Sequence, residues 1–252
     1  MKQYSFLANV YDLLNDEYDY DKYADFLASE INANEKDKSS LVLDLACGTG
    51  KITFALRERG FDMTGIDLSE EMLAIAKDAC YDKGISDILW LCQDMRELEL
   101  YGTVDACVCC LDSINYLTKI SDVKKCFSLV HNYLIPNGVF IFDVNTPYRF
   151  ESIYGNNDYI LENDGSLLAW HNEYSEKSKL CKFYLSIFEE NEDGLYERSD
   201  EMQTEKCYSM RQLKSALNEC GFEIINVYGD LEKGDATDTD EKWYFVARCI
   251  KN

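Results

Sequence analysis

The segment Leu41–Gly50 is the part of the sequence whose residue types and spacing indicate chemistry most clearly. Its letters, LVLDLACGTG, combine an apolar run with a glycine-rich turn, and a helical pattern follows. Glycine lets backbone N–H groups approach a ligand closely because it has no Cβ. Asp67 ends the next apolar run, where a carboxylate can accept hydrogen bonds from both hydroxyls of a ribose. Together these residues predict a nucleotide-binding site.

The glycine spacing helps to decide which nucleotide this site prefers. A dinucleotide site requires G-x-G-x-x-G, and the run Gly48–Thr53 lacks the third glycine. The additional acid Asp44 is unsuited to a pyrophosphate, because like charges repel. It suits a ligand that carries an ammonium and a sulfonium. The turn therefore favours a positively charged adenosyl ligand over NAD.

These motifs resemble the class I S-adenosylmethionine-dependent methyltransferases, in their bacterial small-molecule-type branch. The resemblance rests on D-x-A-C-G-T-G at Asp44–Gly50, G-I-D-L-S at Gly65–Ser69, and the runs Cys92–Met95 and Cys110–Tyr116. It covers most of Tyr4–Asn145 and, more loosely, the last two predicted strands. It implies S-adenosyl-L-methionine as cofactor and methyl transfer as the reaction.

The resemblance also implies a set of cofactor-binding residues. Asp44 would face the methionine ammonium, Asp67 would hold the ribose, and Asp94 would accept a hydrogen bond from the adenine amino group. The other implied residues would line the adenine or offer backbone groups to the methionine and ribose; they are Ala46, Gly48, Gly50, Leu68, Met72, Met95, Cys110 and Leu111. Tyr11, in a predicted N-terminal helix, would cover the sulfonium in a cation–π contact.

The candidates for a direct part in the reaction are His171, Tyr11 and Asp112. Methyl transfer from a sulfonium is an in-line displacement with a neutral leaving group, so the protein need mainly align the acceptor and exclude water. His171 is one of two histidines, the side chains that titrate near neutral pH without perturbation. Asp112 follows the fourth predicted strand, at the edge where ligands bind in open α/β sheets. For each residue, a purely structural role is the alternative.

The elements that position these residues alternate between apolar strands and helices, which is typical of a parallel sheet covered on both faces. We predict an α/β fold with a seven-stranded, mostly parallel sheet, helices on both faces and an antiparallel last strand. Residues 1–147 and 208–252 are predicted to form a Rossmann-like cofactor-binding domain. Residues 148–207 alternate in β-type runs between turn signals, and predict a small antiparallel insertion that covers the acceptor side.

The net charge and the apolar runs of the sequence indicate which classes of binding partner to expect. The formal net charge is −22, which disfavours nucleic acid and anionic membranes because both attract basic proteins. The opening MKQYSFLANVYDLL lacks the apolar core of a signal peptide, and no apolar run reaches the ~20 residues of a membrane span. The sequence therefore predicts a cytoplasmic protein with a small-molecule partner, and leaves the oligomeric state open.

The eleven cysteines raise the question of metal or redox chemistry. Cys107 and Cys110 have C-x-x-C spacing, but TVDACVCCL reads as a buried strand and no second C-x-x-C occurs. We therefore predict reduced, buried thiols and no metal.

The predicted function is transfer of a methyl group from S-adenosylmethionine to a nitrogen or oxygen nucleophile of a small molecule. A tRNA, rRNA or protein methyltransferase is the alternative within the class. A non-catalytic S-adenosylmethionine-binding protein and an NAD-dependent oxidoreductase are the alternatives from other classes.

Overall fold

The structure, a computed structural model, describes residues 18–34, 41–163 and 165–251. Tyr11 and its predicted helix lie outside the described residues. No helix of the described ranges combines the length and the apolar character that a bilayer span requires. The helices are α1 (Tyr20–Asn34), α2 (Lys51–Glu58), α3 (Glu70–Lys83), α4 (Ile120–Tyr133) and α5 (Met210–Glu219). The strands are β1 (Leu41–Leu45), β2 (Asp62–Asp67), β3 (Leu89–Cys92), β4 (Val104–Cys109), β5 (Leu134–Asn145), β6 (Asp158–Asn163), β7 (Ser166–Ser175), β8 (Leu180–Glu190), β9 (Tyr196–Lys206), β10 (Phe222–Tyr228) and β11 (Lys242–Cys249).

Seven strands form the central sheet, in the order β10-β11-β5-β4-β1-β2-β3. The pairs β1–β2, β2–β3, β1–β4 and β4–β5 are parallel. Only β11 runs antiparallel, to both β5 and β10. The predicted α/β fold class, including its antiparallel last strand, is confirmed. The order changes direction at β1 and β4, so their carboxyl ends flank the crevice where ligands bind in such sheets.

The central strands are buried on both faces, as expected of a parallel sheet between helices. Successive side chains of a strand point to opposite faces. On one face, Phe142 of β5 stacks on Phe245 of β11 with ring centroids 4.9 Å apart. On the other face, Ile141 packs in a cluster with Leu27 of α1 and Leu56 of α2. The two cores hold the carboxyl ends of the strands in fixed positions.

The cysteines of β4 belong to this core. Cys107 and Cys109 are fully buried, which confirms the predicted strand. Burial raises the pKa of both thiols well above the ordinary range of cysteine. Both therefore remain protonated and act as small apolar side chains.

Trp90 of β3 packs against the backbone of β2 in a space that only glycine leaves open. A Cβ at Gly65 would lie 2.4 Å from the indole of Trp90, and a Cβ at Gly50 would lie 2.6 Å from it. The indole also meets Phe54 of α2 edge to face, at 5.8 Å between ring centroids. The missing side chains of these glycines thus allow the aromatic packing beneath the glycine-rich turn.

Replacing Gly65 with alanine is expected to lower the free energy of unfolding by roughly 1–3 kcal/mol, because the new methyl group overlaps the Trp90 ring. Urea unfolding monitored by Trp fluorescence and circular dichroism measures the change. Gly102→Ala is the matched control, since a Cβ at Gly102 meets no atom of the described residues within 4 Å. An equal loss in both variants would contradict the packing explanation.

The strands β6–β9 form a separate four-stranded antiparallel sheet inserted between β5 and α5. Its inner face packs on Phe150 and Tyr154, from a helical turn that follows β5. Tyr116, after β4, donates a hydrogen bond of 2.8 Å to Gln203 of β9. The insertion is therefore joined to the carboxyl edge of the central sheet.

Candidate functional site

The glycine-rich turn leaves β1 in left-handed backbone conformations. Ala46 has φ +62° and Gly48 has φ +56°. The N–H of Cys47 donates to the carbonyl of Ile66 on the neighbouring strand, at 2.9 Å. The turn is thereby held against the end of β2 before α2 begins.

The Asp67 carboxylate closes this turn from the end of β2. Its Oδ2 accepts the N–H of Gly48 at 2.8 Å, and its Oδ1 accepts the N–H of Ser69 at 2.8 Å. Burial raises the pKa of Asp67, although these backbone hydrogen bonds oppose the rise. Two fixed N–H groups thus set the orientation of a carboxylate that lines the cavity beside it.

A cavity of about 170 Å³ opens at the carboxyl ends of β1, β2 and β3. Leu68 lies on its wall and is 56% exposed, which is unusual for a large apolar side chain beside a buried acid. Seven predicted cofactor residues line this cavity, namely Ala46, Gly48, Asp67, Leu68, Met72, Asp94 and Met95. An exposed apolar side chain next to a carboxylate suits a ligand that has both an aromatic ring and a ribose.

A smaller cavity of about 20 Å³ adjoins the same turn and is lined by Asp44, Cys110 and Leu111. Asp44 is 1% exposed, and its Oδ2 accepts a hydrogen bond of 2.5 Å from the Thr53 hydroxyl. Burial raises the pKa of Asp44 to about 7; the Thr53 bond opposes the rise and the charge of Asp67 adds to it. A cation in this cavity would restore the charged form of Asp44. Ala46 and Gly48 line both cavities, which therefore meet at the turn.

Comparisons with known proteins agree with this geometry. The profile of a family described as a methyltransferase domain matches residues 42–138. The candidate methyltransferase YqeM of Bacillus subtilis (strain 168) is 33% identical over 250 residues, which cover 98% of this chain and 98% of that protein. The crystal structure of an S-adenosylmethionine-dependent methyltransferase from Clostridium acetobutylicum superimposes with a TM-score of 0.88 at 30% identity, over 99% of this chain and 100% of that one.

The chain belongs to the S-adenosylmethionine-dependent methyltransferases. S-adenosylmethionine is therefore its cofactor, and an exposed apolar wall with an acid in each of the two adjoining cavities fits that molecule. A glycine/sarcosine N-methyltransferase of Halorhodospira halochloris is 29% identical to this methyltransferase over 248 residues, 92% of this chain and 84% of that protein.

Asp94 lines the larger cavity of the methyltransferase, but its carboxylate is shared with a cation that the sequence did not suggest. Asp94 Oδ1 accepts the Arg96 N–H and Nε, at 2.8 and 2.9 Å, and Oδ2 accepts Arg96 Nη2 at 2.5 Å. Arg96 Nη1 also lies 3.7 Å from Asp122 at the start of α4. Contact of Asp94 with adenine stays a prediction, and would use the remaining lone pairs of a carboxylate that Arg96 already orients.

Three predicted residues, Gly50, Asp112 and His171, line neither cavity. Gly50 has a φ of +83° at the start of α2, and its missing Cβ makes room for Trp90.

His171 of β7 pairs with Tyr184 of β8, which in turn pairs with Met202 of β9. These three residues therefore lie on one face of the insertion. Gln203 and Glu205 lie on the opposite face, which contacts Tyr116 and Asn145 at the carboxyl edge of the central sheet. His171 instead bonds Asp158 at 2.6 Å.

The fold adds three residues that sequence reasoning missed, Asp143, Lys242 and Glu205. Lys242 Nζ lies 2.7 Å from Asp112 Oδ1 and 2.6 Å from Asp143 Oδ2, and all three residues are largely buried. Glu205, from β9, accepts a hydrogen bond of 3.0 Å from Asn145 at the end of β5. A charged residue inside an apolar strand is the signal that could have found Asp143, because such residues are rarely buried without partners. Lys242 begins its strand after two acids, so its position gave no such signal.

Proposed function

We propose that this methyltransferase transfers its methyl group to the nitrogen of a small amine. We further propose that the amine binds where the carboxyl edge of the central sheet meets the insertion. One observation carries the proposal: two largely buried acids from separate elements, Asp112 and Glu205, come together at this junction. Asp112 Oδ1 lies 2.7 Å from Lys242 Nζ, and Glu205 accepts a hydrogen bond of 3.0 Å from Asn145. The two acids are close enough that the charge of Asp112 raises the pKa of Glu205. Asp112 follows Leu111, which lines the smaller cavity, and precedes Ser113, which lines the larger one. Asp112 is thus next in the chain to a residue of each cavity.

The two carboxyl groups of this pair differ in their ionisation. Burial raises the pKa of Glu205 well above its ordinary range, and the charge of Asp112 adds to the rise. Burial acts in the same direction on Asp112, but the charge of Lys242, its hydrogen bond and the charge of Arg149 together outweigh burial and lower the pKa of Asp112. Of the two acids, Glu205 is therefore the one that favours the protonated form and Asp112 the one that favours the charged form. Such a divergence between neighbouring acids is typical of acid–base sites.

This arrangement suits an amine because an amine binds as a cation and reacts as a neutral molecule. An ammonium ion beside the pair stabilises both carboxylates, so Glu205 releases its proton to solvent. The N–H bond of the ammonium then breaks as an O–H bond forms on Glu205, and the nitrogen lone pair becomes available. The cofactor supplies a methyl group on a positively charged sulfur. The N–C bond forms as the C–S bond breaks, and the leaving thioether is neutral.

For the cofactor itself we propose the orientation that the paired cavities favour. Asp67 would hold the ribose hydroxyls, with the adenine against Leu68 and Met72. Asp44, Cys110 and Leu111 would surround the methionine end, where Asp44 would pair with the ammonium. Water would be excluded from the methyl group by the insertion.

The comparison supports nitrogen over oxygen as the acceptor atom. The Halorhodospira relative aligns over 92% of this chain, which includes the insertion, and is named for methylation of glycine and sarcosine. Both are small amines that carry an ammonium at neutral pH. An acceptor of that kind matches the carboxyl pair in charge and size.

A screen of matched amines and alcohols tests the proposal. Release of S-adenosylhomocysteine would be followed with glycine, sarcosine and an amino sugar, each beside the analogue in which a hydroxyl replaces the amine, such as glycolate for glycine. We expect release with amine members only, rising with pH as the acceptor loses its proton. Release from hydroxyl members alone would contradict a nitrogen acceptor while leaving the cofactor assignment intact.

A further inference from the structure

We infer that Asp143, neutralised by Lys242, is the positioning residue for the loop that holds the methionine end of the cofactor. The inference rests on the cofactor orientation proposed above, and not on the identity of the acceptor. The loop in question, Cys110–Asp112, follows β4. Asp143 lies on β5, the neighbouring strand of the central sheet.

The loop adopts a backbone that its own residues disfavour. Leu111 has φ +56° and Asp112 has φ +57°, so two consecutive side-chain-bearing residues are left-handed. Left-handed backbone costs free energy wherever a Cβ is present, and Leu has no short polar side chain to offset it. Interactions from outside the loop must therefore hold it in place.

Asp143 supplies those interactions. Its Oδ1 accepts the N–H of Leu111 at 2.6 Å, and its Oδ2 accepts the N–H of Asp112 at 3.1 Å. The hydroxyl of Tyr23, on α1, donates to Oδ1 at 2.5 Å. Lys242 Nζ donates to Oδ2 at 2.6 Å. One fully buried carboxylate thus receives four donors, two of them the backbone of the strained residues.

Lys242 offsets the free-energy cost of burying the Asp143 carboxylate. It begins β11 and bridges Asp143 to Asp112, which adds an ion pair to the loop at 2.7 Å. A buried charge without a partner is strongly destabilising, whereas a paired and hydrogen-bonded one is not. The cation therefore offsets the charge of the acid at position 143 and lowers the cost of burying it.

Only a carboxylate can perform this task. Asparagine presents one acceptor oxygen and an NH2 group that is itself a donor. In Asp143→Asn, an NH2 group replaces one of the two carboxylate oxygens. If it replaces Oδ1, it faces the donors of Leu111 and Tyr23. If it replaces Oδ2, it faces the donors of Asp112 and Lys242. At least two donors would lose their acceptor, and the loop would be free to relax to an ordinary backbone.

The effect should be confined to one end of the cofactor. Cys110 and Leu111 line the small cavity with Asp44, whereas Asp67 and Leu68 line the large cavity from the end of β2 and the turn that follows it. A displaced loop therefore alters the contacts of the methionine moiety and leaves those of the adenosine unchanged. A general loss of stability would instead weaken both ends or neither.

Two ligands separate these possibilities: S-adenosylhomocysteine, which has the methionine-derived amino acid, and 5′-methylthioadenosine, which lacks it. Isothermal titration calorimetry of Asp143→Asn is expected to show about tenfold or greater loss of affinity for S-adenosylhomocysteine and almost none for 5′-methylthioadenosine. Asp105→Asn is the matched control. Asp105 is also an acid of the central sheet that accepts a backbone N–H, that of Leu41 at 2.7 Å, but it lies at the amino end of β4. We expect it to bind both ligands like the parent protein.

Equal losses for the two ligands, or no loss for either, would overturn the inference. Tyr23→Phe keeps the charge and removes one of the four donors, so it serves if Asp143→Asn does not fold; a smaller loss confined to S-adenosylhomocysteine is then expected. If the proposed cofactor orientation itself is wrong, Asp67→Asn will fail to weaken 5′-methylthioadenosine. That outcome is distinguishable from a failure at Asp143.

Discussion

Replacing Asp67 with asparagine is expected to weaken the binding of S-adenosylmethionine by about 100-fold, or about 3 kcal/mol. The backbone N–H groups of Gly48 and Ser69 already fix one side of the carboxylate. Its remaining lone pairs are available to two ribose hydroxyls, and hydrogen bonds to charged groups contribute ~1.5–3 kcal/mol each. Asparagine offers a single oxygen, so it cannot keep both the backbone bonds and the ribose bonds.

Isothermal titration calorimetry and thermal shift measure this loss. Because ligand binding to the folded state raises the melting temperature by mass action, the shift produced by a fixed concentration of S-adenosylmethionine should largely disappear in Asp67→Asn. Asp62→Asn is the control, since Asp62 begins the same strand at its far end and is exposed. An undiminished thermal shift in Asp67→Asn would remove Asp67 from the binding site.

Replacing Asp44 with asparagine is expected to have opposite effects on stability and on binding. Burial raises the pKa of Asp44 from 3.8 to about 7 in the folded protein. Between about pH 4 and pH 7 the folded state therefore binds more protons than the unfolded state, and stability falls as the pH rises through this range. Above pH 7 Asp44 is charged in the folded state, and the destabilisation caused by burying its charge reaches its full value. Asp44→Asn removes this destabilisation, so the ligand-free variant should be more stable at pH 8 by about 4 kcal/mol and no more stable near pH 4.

The cofactor reverses this preference because its ammonium favours the charged form of Asp44. Binding below about pH 7 must displace a proton, so the affinity of the parent protein should rise by up to about tenfold per pH unit until pH 7 and then level. In Asp44→Asn the affinity should be lower at pH 8, and its pH dependence should be much reduced. Urea unfolding and calorimetry at several pH values provide both measurements. Equal affinities of the parent protein at about pH 5.5 and pH 8 would contradict a charged partner for Asp44.

The prediction for Asp44 also explains why the sequence could identify this residue but not its state. An acid beside a glycine-rich turn is visible as a pattern. Its pKa depends on how completely α2 and the neighbouring strands exclude water, and on the hydroxyl of Thr53. Those are properties of packing, and no local spacing encodes them.

Local sequence by itself determined the elements and the cofactor turn. The apolar runs that become β1, β2 and β4 have strand length and are bounded by turn residues, and short-range backbone preferences suffice to define them. The motif around Asp44–Gly50 is contiguous, so its residues meet at one sheet edge in any α/β arrangement. The fold class and the cofactor followed from these features.

The tertiary structure alone decided which distant residues come together at the proposed acceptor site. Asp112, Asp143, Glu205 and Lys242 come from four separate elements, and only the register of β5 with β11 and the docking of the insertion bring them together. The register of β7 likewise places His171 on the face of the insertion opposite to Gln203 and Glu205. Successive residues of a strand point to opposite faces of the sheet, so a shift of one residue would have reversed this. Local preferences act over a few bonds, whereas these contacts depend on how completed elements pack, and that information is distributed over the whole chain.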